Sequence, residues 1–230
     1  MSSPSLVEIK GRAVLFSEMT PPAGEELKFN EWYDGHHSPS HVQGVPGFLS
    51  AMRYQSPEGP NYLAIYELEG PEALDHEEYK RRKLTPDNPT YKMLKSVSGF
   101  TRYIATEEYS LIQPENVENP LDADLVFCVL FTLPADKHLS FERWFDTEHA
   151  PMLLESRDWY CSRRFKIIAH DPEPHTHLII HYLKGRDVLE TSERKAASKT
   201  EWRRKLSNES WFKPITRTYI KRNKRFLKTG

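Results

Sequence analysis

The stretch FNEWYDGHHSP (residues 29–39) decides the fold, because it returns as FERWFDTEHAP (residues 141–151) at an offset of 112 residues. Six of the eleven positions match, namely Phe, Trp, a second aromatic residue, Asp, His and Pro. This offset far exceeds the period of solenoid proteins, which is roughly 20–50 residues. Each copy is therefore predicted to be a domain in its own right.

Two pairs of apolar runs extend the repeat in both directions. Residues 13–16 (AVLF) align with residues 125–128 (LVFC) upstream, and residues 62–66 (YLAIY) align with residues 177–181 (HLIIH) downstream at an offset of 115. Within one copy, the alternating and helical patterns follow the order β-α-β-β-α-β. That order is typical of the ferredoxin-like unit, a four-stranded antiparallel sheet with both helices on one face.

The predicted fold class is therefore α+β, with two tandem ferredoxin-like units at residues 8–110 and 125–222. The polar stretch at residues 113–124 is predicted to be a linker, and the basic residues 223–230 a solvated tail. Because each sheet leaves one face without helices, the two sheets are expected to pack face to face as an intramolecular α/β barrel around an apolar chamber.

Composition and charge narrow the classes of partner. Of the 230 residues, 38% are hydrophobic and 12% aromatic, and the formal net charge is −1, which disfavours nucleic acid and membranes as partners. Without an apolar run of about 18 residues or a secretory signal, a cytoplasmic location is expected. Residues 1–115 carry 11 basic and 17 acidic side chains, leaving 21 and 16 for the rest. These opposite charges could orient a head-to-tail homodimer.

Sequence motifs for metal and nucleotide binding are missing. The chain has no CxxC, HExxH, GxGxxG or GxxxxGK[ST] pattern, and Cys128 and Cys161 lie in stretches typical of buried thiols. No metal and no cofactor are therefore expected, and the expected partner is a small-molecule substrate.

The repeated element also carries a family resemblance. WYDGHHSP and WFDTEHAP are similar to the W-x-x-x-H-x-P signature of EthD-like proteins in the dimeric α/β-barrel superfamily, and VPGFLSAMRYQ (residues 45–55) resembles the hairpin entry of that family. The resemblance covers residues 8–110 and 121–222, and the second copy departs from it at ESRDWYCSRRF, where the PGF turn is lost. It implies a barrel with a pocket for a hydrophobic or aromatic molecule. Members include cofactor-free monooxygenases, lactone isomerases, polyketide cyclases, decarboxylases and related haem enzymes.

The third strand of each copy supplies the first candidate residues, because its side chains alternate between the two faces. Leu63, Ile65, Leu178 and Ile180 are assigned to the helix side. The opposite face then presents the candidates Tyr62, Tyr66, His177 and His181. Imidazole transfers protons near neutral pH and a phenol can bind a developing oxyanion, although such residues often only pack. His181 is the favoured catalytic residue, with Tyr66 as its equivalent, and Tyr62 and His177 are predicted to bind substrate.

The histidines of the repeated element form a second group of catalytic candidates. His37 and His149 occupy equivalent positions, just before a proline that is expected to end the helix, and could act as helix caps or as acid/base groups. His36 is replaced by Glu148 in the second copy, a difference that would be expected if the two copies had diverged in function. Asp34 and its counterpart Asp146 lie one helical turn before these histidines, so either a His–Asp pair or solvated side chains are expected.

Arginines recur in the strands at equivalent places. Arg53 aligns with Arg164, and Arg102 aligns with Arg217 at an offset of 115. A buried guanidinium needs a partner, so these arginines are predicted to hold the carboxylate of a neighbouring acid or of a substrate. Arg53, Arg102 and Arg217 are candidate substrate-binding residues.

The leading functional hypothesis is a cofactor-independent enzyme that acts on an aromatic or polyketide-like molecule by acid/base chemistry, as a decarboxylase, cyclase or dehydratase. The mechanism uses His181 or His37 as base and acid and Tyr66 to hold the oxyanion. A haem-dependent or cofactor-free oxygen-using oxidoreductase is the first alternative, and a non-catalytic small-molecule binding protein is the second.

Overall fold

The structure is a computed structural model that describes residue 6 and residues 10–84, 89–113 and 119–228. The chain divides into two compact units, and the first boundary between them follows Thr106, inside a strand, rather than lying in the predicted linker. Unit 1 comprises the described residues up to Thr106, residues 168–173 and the residues from Lys221 onward; unit 2 comprises residues 107–167 and 174–220. Residues 114–118 of the predicted linker lie outside the described residues.

Unit 1 follows the predicted order of elements. Its strands and helices are β1 (Ala13–Thr20), α1 (Glu26–Trp32), α2 (Ser38–Gly44), β2 (Phe48–Gln55), β3 (Tyr62–Leu68), α3 (Glu77–Leu84), α4 (Pro89–Ser96) and β4 (Ser98–Ile112). β1 pairs antiparallel with both β3 and β4, and β3 pairs with β2. The resulting strand order, β4-β1-β3-β2, is that of a ferredoxin-like sheet.

Unit 2 repeats this arrangement. Its elements are β5 (Leu125–Phe131), α5 (His138–Trp144), α6 (Ala150–Leu153), β6 (Trp159–Asp171), β7 (His177–Leu183), α7 (Ser192–Ala197), α8 (Glu201–Ser207) and β8 (Ile215–Lys221). β5 pairs antiparallel with β7 and β8, and β6 pairs with β7. The predicted α+β class and both ferredoxin-like units are confirmed. Within the described residues no helix is long and apolar enough to cross a membrane.

The first helical segment of each unit continues past the predicted stop. Between α1 and α2 lies the π-helical turn Tyr33–His37, and between α5 and α6 lies the turn Phe145–His149. The prolines that follow sit in the first turn of α2 and α6, where the N–H that proline lacks is least needed. The expectation that proline ends the helix was therefore wrong. A π turn also puts residues five apart on one face, so Trp32 stacks near His37 and Trp144 near His149.

The faces of the third strands are the reverse of the prediction. Tyr62, Ala64 and Tyr66 pack in one core with α1 residues such as Phe29, and Ile179 packs with Phe141 of α5. The candidate tyrosines and histidines thus face the helices, and Leu63, Ile65, Leu178 and Ile180 lie on the other face. Every residue of β3 and β7 is buried, so neither strand shows the contrast of apolar and polar residues that would identify its helix side.

Arg102 and Arg217 are not equivalent, contrary to the alignment. Arg102 lies opposite Ser17 of β1, whereas Arg217 lies opposite Cys128 of β5. Because the β1 and β5 positions differ by 112, the counterpart of Arg102 is Thr216. Arg217 therefore lies on the opposite face of its sheet, away from the helices.

The predicted basic tail is ordered as part of unit 1 up to residue 228. Strand β9 (Phe226–Leu227) pairs antiparallel with Ser50 and Ala51 of β2, and the backbone N–H of Lys228 donates to Leu49. Asn223 also donates a hydrogen bond to Asp34. The description of this segment as a solvated end was therefore wrong.

Candidate functional site

Unit 2 contains a cavity of about 210 Å³ between its sheet and its helices, which we call the unit-2 cavity. Most of its wall is aromatic or aliphatic, and exposed residues such as Ser198 and Thr216 lie at its mouth. Its lining residues include Phe127, Val129, Phe131, Trp144, Phe145, His149, Leu153, Trp159, Ile179, His181, Arg194, Arg203 and Phe212. An apolar cavity of about 150 Å³ can hold benzene, so this space suits a small aromatic molecule.

His181 is fixed at the back of the unit-2 cavity by a buried polar chain. Trp159 Nε1 donates to Ser162 Oγ at 2.9 Å, and Ser162 Oγ lies 2.7 Å from His181 Nδ1. Trp159 Nε1 also lies 3.3 Å from His181 Nδ1, and because an indole N–H can only donate, Nδ1 accepts and carries the lone pair. The mobile proton of His181 is then on Nε2. Burial, aided by the charge of His149, holds the pKa of His181 well below its usual range, so the ring stays neutral.

His149 has the opposite arrangement of proton and lone pair. Its Nδ1 is buried without a hydrogen-bond partner, and a backbone hydrogen bond at Ala197 therefore uses Nε2. Burial is the main cause that lowers the pKa of His149 to about 4, and the positive charges of Arg203 and Arg194 act in the same direction. At neutral pH this ring is an uncharged base with a bare lone pair on Nδ1.

Two cations line the mouth of the unit-2 cavity. The guanidinium of Arg203 lies over the Phe212 ring, 4.3 Å from its centroid, and burial lowers the pKa of Arg203. Within the described part of the chain, neither Arg203 nor Arg194 forms an ion pair with a carboxylate. Both charges are therefore available to a bound molecule with an anionic oxygen.

The π turn that carries His149 is held by an ion pair to the sheet. Arg164 of β6 donates to both carboxylate oxygens of Asp146, at 3.0 and 2.7 Å, and the Tyr109 hydroxyl donates to the Asp146 carbonyl. Arg53 makes the same link to Asp34 in unit 1. Of the two partners predicted for Arg53 and Arg164, a neighbouring acid or a substrate, each arginine binds a neighbouring acid. Asp34 and Asp146 therefore form ion pairs with arginine rather than the expected alternatives, a His–Asp pair or solvated side chains.

Unit 1 has only a small cavity at the corresponding place, about 30 Å³, which we call the unit-1 cavity. Large side chains fill the space, and its lining residues include Leu15, Ser17, Met19, Tyr33, His37, His41, Tyr66, Tyr79, Phe100 and Arg102. Arg102 donates a hydrogen bond to the Tyr79 hydroxyl across it. Such a volume holds about one or two water molecules rather than a substrate.

The predicted residues His37 and Tyr66 lie in the unit-1 cavity but are packed there. His37 contacts the rings of Trp32, Tyr33 and His41 at centroid distances of 4.3–4.6 Å, and burial keeps the pKa of His37 well below its usual range. Burial likewise raises the pKa of Tyr66 well above its usual value, and its hydroxyl lies 3.4 Å from that of Tyr33. Tyr66 and His181 are equivalent in sequence and lie in different cavities.

The remaining predicted residues lie elsewhere. His36 is exposed on the outer side of its π turn and lines neither described cavity. Tyr62 bonds to Glu26 and Asn30, and His177 to Glu142, at the other end of each sheet. The cavities themselves lie on the helix side of each sheet, not in the predicted chamber between sheets.

The sequence analysis missed three residues that line the unit-2 cavity and one, Ser162, that contacts His181 behind it. Ser162, Trp159, Arg194 and Arg203 were assigned no role, although Trp159 and Ser162 stand in the stretch where the second copy loses the PGF turn. The loss of the PGF turn was therefore the one feature of the sequence that could have drawn attention to Trp159 and Ser162. Without the strand register, nothing in the sequence showed that Ser162 faces His181.

Comparisons with known proteins support the fold. No protein-family model matches the chain, and no curated protein is similar to it in sequence. Among solved structures, an anthrone oxidase-like protein is similar with a TM-score of 0.65 and 12% identity, over 96% of this chain and 94% of that chain.

Two candidate monooxygenases are also similar in structure. The protein from Lactobacillus acidophilus has a TM-score of 0.59 and 9% identity, over 91% of this chain and 93% of its own. The protein from Fusobacterium nucleatum has a TM-score of 0.57 and 7% identity, over 96% of each chain. These likenesses bear out the α/β-barrel fold alone; membership of the dimeric α/β-barrel superfamily and the narrower EthD assignment stay predictions.

Proposed function

We propose that the unit-2 cavity is the active site of a cofactor-independent enzyme that removes a proton from an aromatic small molecule with an acidic C–H or O–H group. The observation that carries this proposal is the pair of neutral histidines in one aromatic cavity, His149 with a bare buried nitrogen and His181 with its proton on Nε2. One ring can accept a proton while the other donates a hydrogen bond.

His149 is the proposed base. Its Nδ1 receives the substrate proton, and the imidazolium that forms keeps its Nε2–H bond at Ala197. The stacked Trp144 ring, 4.4 Å away at an angle of 24°, holds the imidazole in this orientation and can stabilise its positive charge. General base catalysis of this kind contributes about 10²–10⁴-fold to a rate.

His181 is the proposed hydrogen-bond donor to the developing oxyanion. The contacts of Nδ1 with Trp159 and Ser162 fix its tautomer, and burial lowers its pKa so that the ring is neutral. A neutral imidazole N–H is a very weak acid, so it donates a hydrogen bond and keeps its proton. A preorganised donor in a cavity that excludes water stabilises an enolate or phenolate more than water does. Arg194 and Arg203 add positive charge at the mouth.

An oxygen-using oxidoreductase is the form of this chemistry that the comparisons favour, because the similar structures are an anthrone oxidase-like protein and two candidate monooxygenases. Applied to anthrone, the carbanion left by deprotonation would react with O2. One oxygen atom would become the new ketone oxygen of anthraquinone, and the other would leave as water together with the two methylene hydrogens. The same carbanion could instead lose a group or close a ring, which is the lyase or cyclase form.

The size of the unit-2 cavity favours a small aromatic molecule over haem. Its volume of about 210 Å³ is close to that of cavities that hold a single aromatic ring, and the unit-1 cavity is smaller still. A non-catalytic binding protein would use the same cavity without turnover, so product analysis separates it from the enzyme.

Anthrone is a suitable probe, because proton removal can be measured separately from oxidation. Under argon in deuterated buffer, exchange of the anthrone methylene hydrogens is followed by NMR; in air, O2 uptake is followed with an electrode. We expect H149Q to lower the enzymatic exchange rate about 100-fold or more, because the bare imidazole nitrogen is lost. The matched variant H37Q in unit 1 should change it less than about threefold.

Three results would separate the possibilities. Exchange without O2 uptake would favour a lyase or cyclase over an oxidoreductase. Binding of anthrone without either reaction would favour a carrier. Equal losses in H149Q and H37Q, with both variants folded by circular dichroism, would remove the unit-2 cavity from the mechanism.

A further inference from the structure

A cluster of three potential metal ligands lies in unit 2 outside the cavity. It consists of His138 and Glu142, one helical turn apart on α5, and His177 at the start of β7. One ligand atom from each residue lies within 4.8 Å of the other two. None of the three lines the unit-2 cavity, so the proposed base chemistry makes no use of them.

Each histidine of this cluster has its second ring nitrogen held by a neighbouring oxygen. His138 Nε2 lies 3.2 Å from the Leu133 carbonyl, which can only accept, so Nε2 carries the proton and Nδ1 the lone pair. His177 Nδ1 lies 3.0 Å from Thr176 Oγ1, and His177 Nε2 points at Glu142. Metal-binding histidines are usually oriented by such bonds from the nitrogen that does not bind the metal.

The contact between His177 and Glu142 depends on a single hydroxyl proton. Thr176 Oγ1 accepts from the Leu133 N–H and lies 3.2 Å from the Phe131 carbonyl and 3.0 Å from His177 Nδ1. When its proton goes to the carbonyl, Nδ1 donates, and His177 Nε2 faces a Glu142 oxygen 3.2 Å away with its lone pair. Two acceptors at that distance require a proton or a cation between them.

We propose that His138 Nδ1, Glu142 and His177 Nε2 bind a divalent first-row transition metal ion, such as Zn²⁺, with water completing the coordination. Two imidazoles and one carboxylate are a ligand set found for Zn²⁺ and Fe²⁺. His177 is buried, and its Nε2 points at a Glu142 oxygen. Only small movements are needed, because Glu142 and His177 are already 3.2 Å apart.

The local charge also suits a cation. Arg164 lies 3.5 Å from Glu142, but its bidentate partner is Asp146. Two carboxylates therefore face one guanidinium, which leaves a net charge of −1 before a metal binds. A bound ion would join α5 to β7 across the core that contains Phe131 and Phe141.

Unit 1 supplies an internal control at the same place in its fold. The corresponding positions are Glu26, Asn30 and Tyr62, and the Tyr62 hydroxyl is hydrogen-bonded to both of the others. These side chains complete a hydrogen-bond network without an imidazole. The proposal therefore predicts one metal ion per chain, in unit 2 alone.

The test is a titration of the full chain, stripped with EDTA and desalted, first with Zn²⁺ by calorimetry and then with Co²⁺ by visible absorption. We expect one saturable site and a Co²⁺ spectrum typical of nitrogen and oxygen ligands. H138A and E142Q should each weaken Zn²⁺ binding at least about tenfold, and the control E26Q in unit 1 should leave it unchanged. The metal should also raise the Tm of the wild type and not that of E142Q.

Two results would overturn the proposal. One is the absence of a saturable site, with nitrogen NMR of His177 showing a proton on Nε2, which would identify a plain histidine–glutamate hydrogen bond. The other is equal affinity in the wild type, H138A and E142Q, which would assign the ion to other histidines. Circular dichroism of each variant shows whether it is folded.

Discussion

The two units share a backbone plan but differ in the space that they enclose. Both have the same strand order, the same π turn, a stacked tryptophan and histidine, and an aspartate–arginine pair. Yet their cavities measure about 30 and 210 Å³. The strands and helices therefore do not set the capacity of this fold for a ligand; a few side chains that point into the same gap do.

Three replacements distinguish the linings of the two cavities. The offsets of the repeat place Arg194 where unit 1 has Tyr79, and Leu153 where it has His41. The strand register places Thr216 opposite Val129, where unit 1 has Arg102 opposite Ser17. In unit 1 Tyr79 and Arg102 bond to each other across the cavity, whereas in unit 2 the threonine is short and lies exposed at the mouth.

The largest expected effect comes from exchanging these side chains. The double variant R194Y/T216R should fill the unit-2 cavity and lower anthrone exchange about 100-fold or more, because the base can no longer reach the substrate. The matched double variant Y79R/R102T in unit 1 should leave the exchange rate within about twofold. Measured kcat/KM values for both proteins test this. A loss in the unit-1 variant as large as in the unit-2 variant would contradict the assignment of the active site.

A smaller effect is expected from the aspartates that hold the π turns. D34N should lower the free energy of unfolding by about 3 kcal/mol, because it leaves the buried guanidinium of Arg53 without its carboxylate. D146N should lower it by less, because Glu142 still lies 3.5 Å from Arg164. The side chains of Arg164 and Arg53 are 4% and 0% exposed. Urea denaturation measures the loss.

The same pair of variants can separate the two units. Asp34 also binds Asn223 and Arg222, so D34N should speed amide hydrogen exchange at residues 222–228, and D146N should not. Equal exchange in this segment for both variants would show that Asp34 does not hold it.

The smallest expected effect is on the pH dependence of the reaction. The proposed base must be unprotonated, so kcat/KM for anthrone exchange should be level above pH 5 and fall as the pH drops through about 4, the lowered pKa of His149. No group of unit 1 takes part in the proposed reaction, so the H37Q variant should show the same pH dependence of kcat/KM. An acid limb near 6.5, the ordinary value for histidine, would mean that a solvated histidine is the base.

The fold could be predicted from the sequence because the repeat shows that the same order of strands and helices occurs twice. Residues 29–39 and 141–151 align without gaps, and the order of elements in one copy could be checked against the other. His149 and His181 were both proposed from this repeat, and both line the unit-2 cavity. The sequence did not show which of the two equivalent cavities is large enough for a ligand, because that depends on how far side chains such as Arg102 and Thr216 extend into them.

The faces of β3 and β7 could not be predicted for a different reason. Alternation identifies the core side of a strand only when its other side is polar. Here Leu63 and Tyr66, or Ile180 and His181, are all buried, so the pattern has no contrast. The cluster of His138, Glu142 and His177 was missed because its two helical members are four residues apart and the third is contributed by a strand 35 residues later than Glu142.

The pairing of β9 with β2 has a consequence for the order of assembly. Ser50 and Ala51 pair with Leu227 and Phe226, so unit 1 contains segments that are synthesised before and after nearly all of unit 2. A growing chain on the ribosome can complete the second unit while the first still lacks an edge strand. During synthesis, the edge of β2 opposite β3 therefore lacks its β9 partner at Ser50 and Ala51 until residues 226–227 are made. An exposed strand edge of this kind is a place where a chaperone can bind.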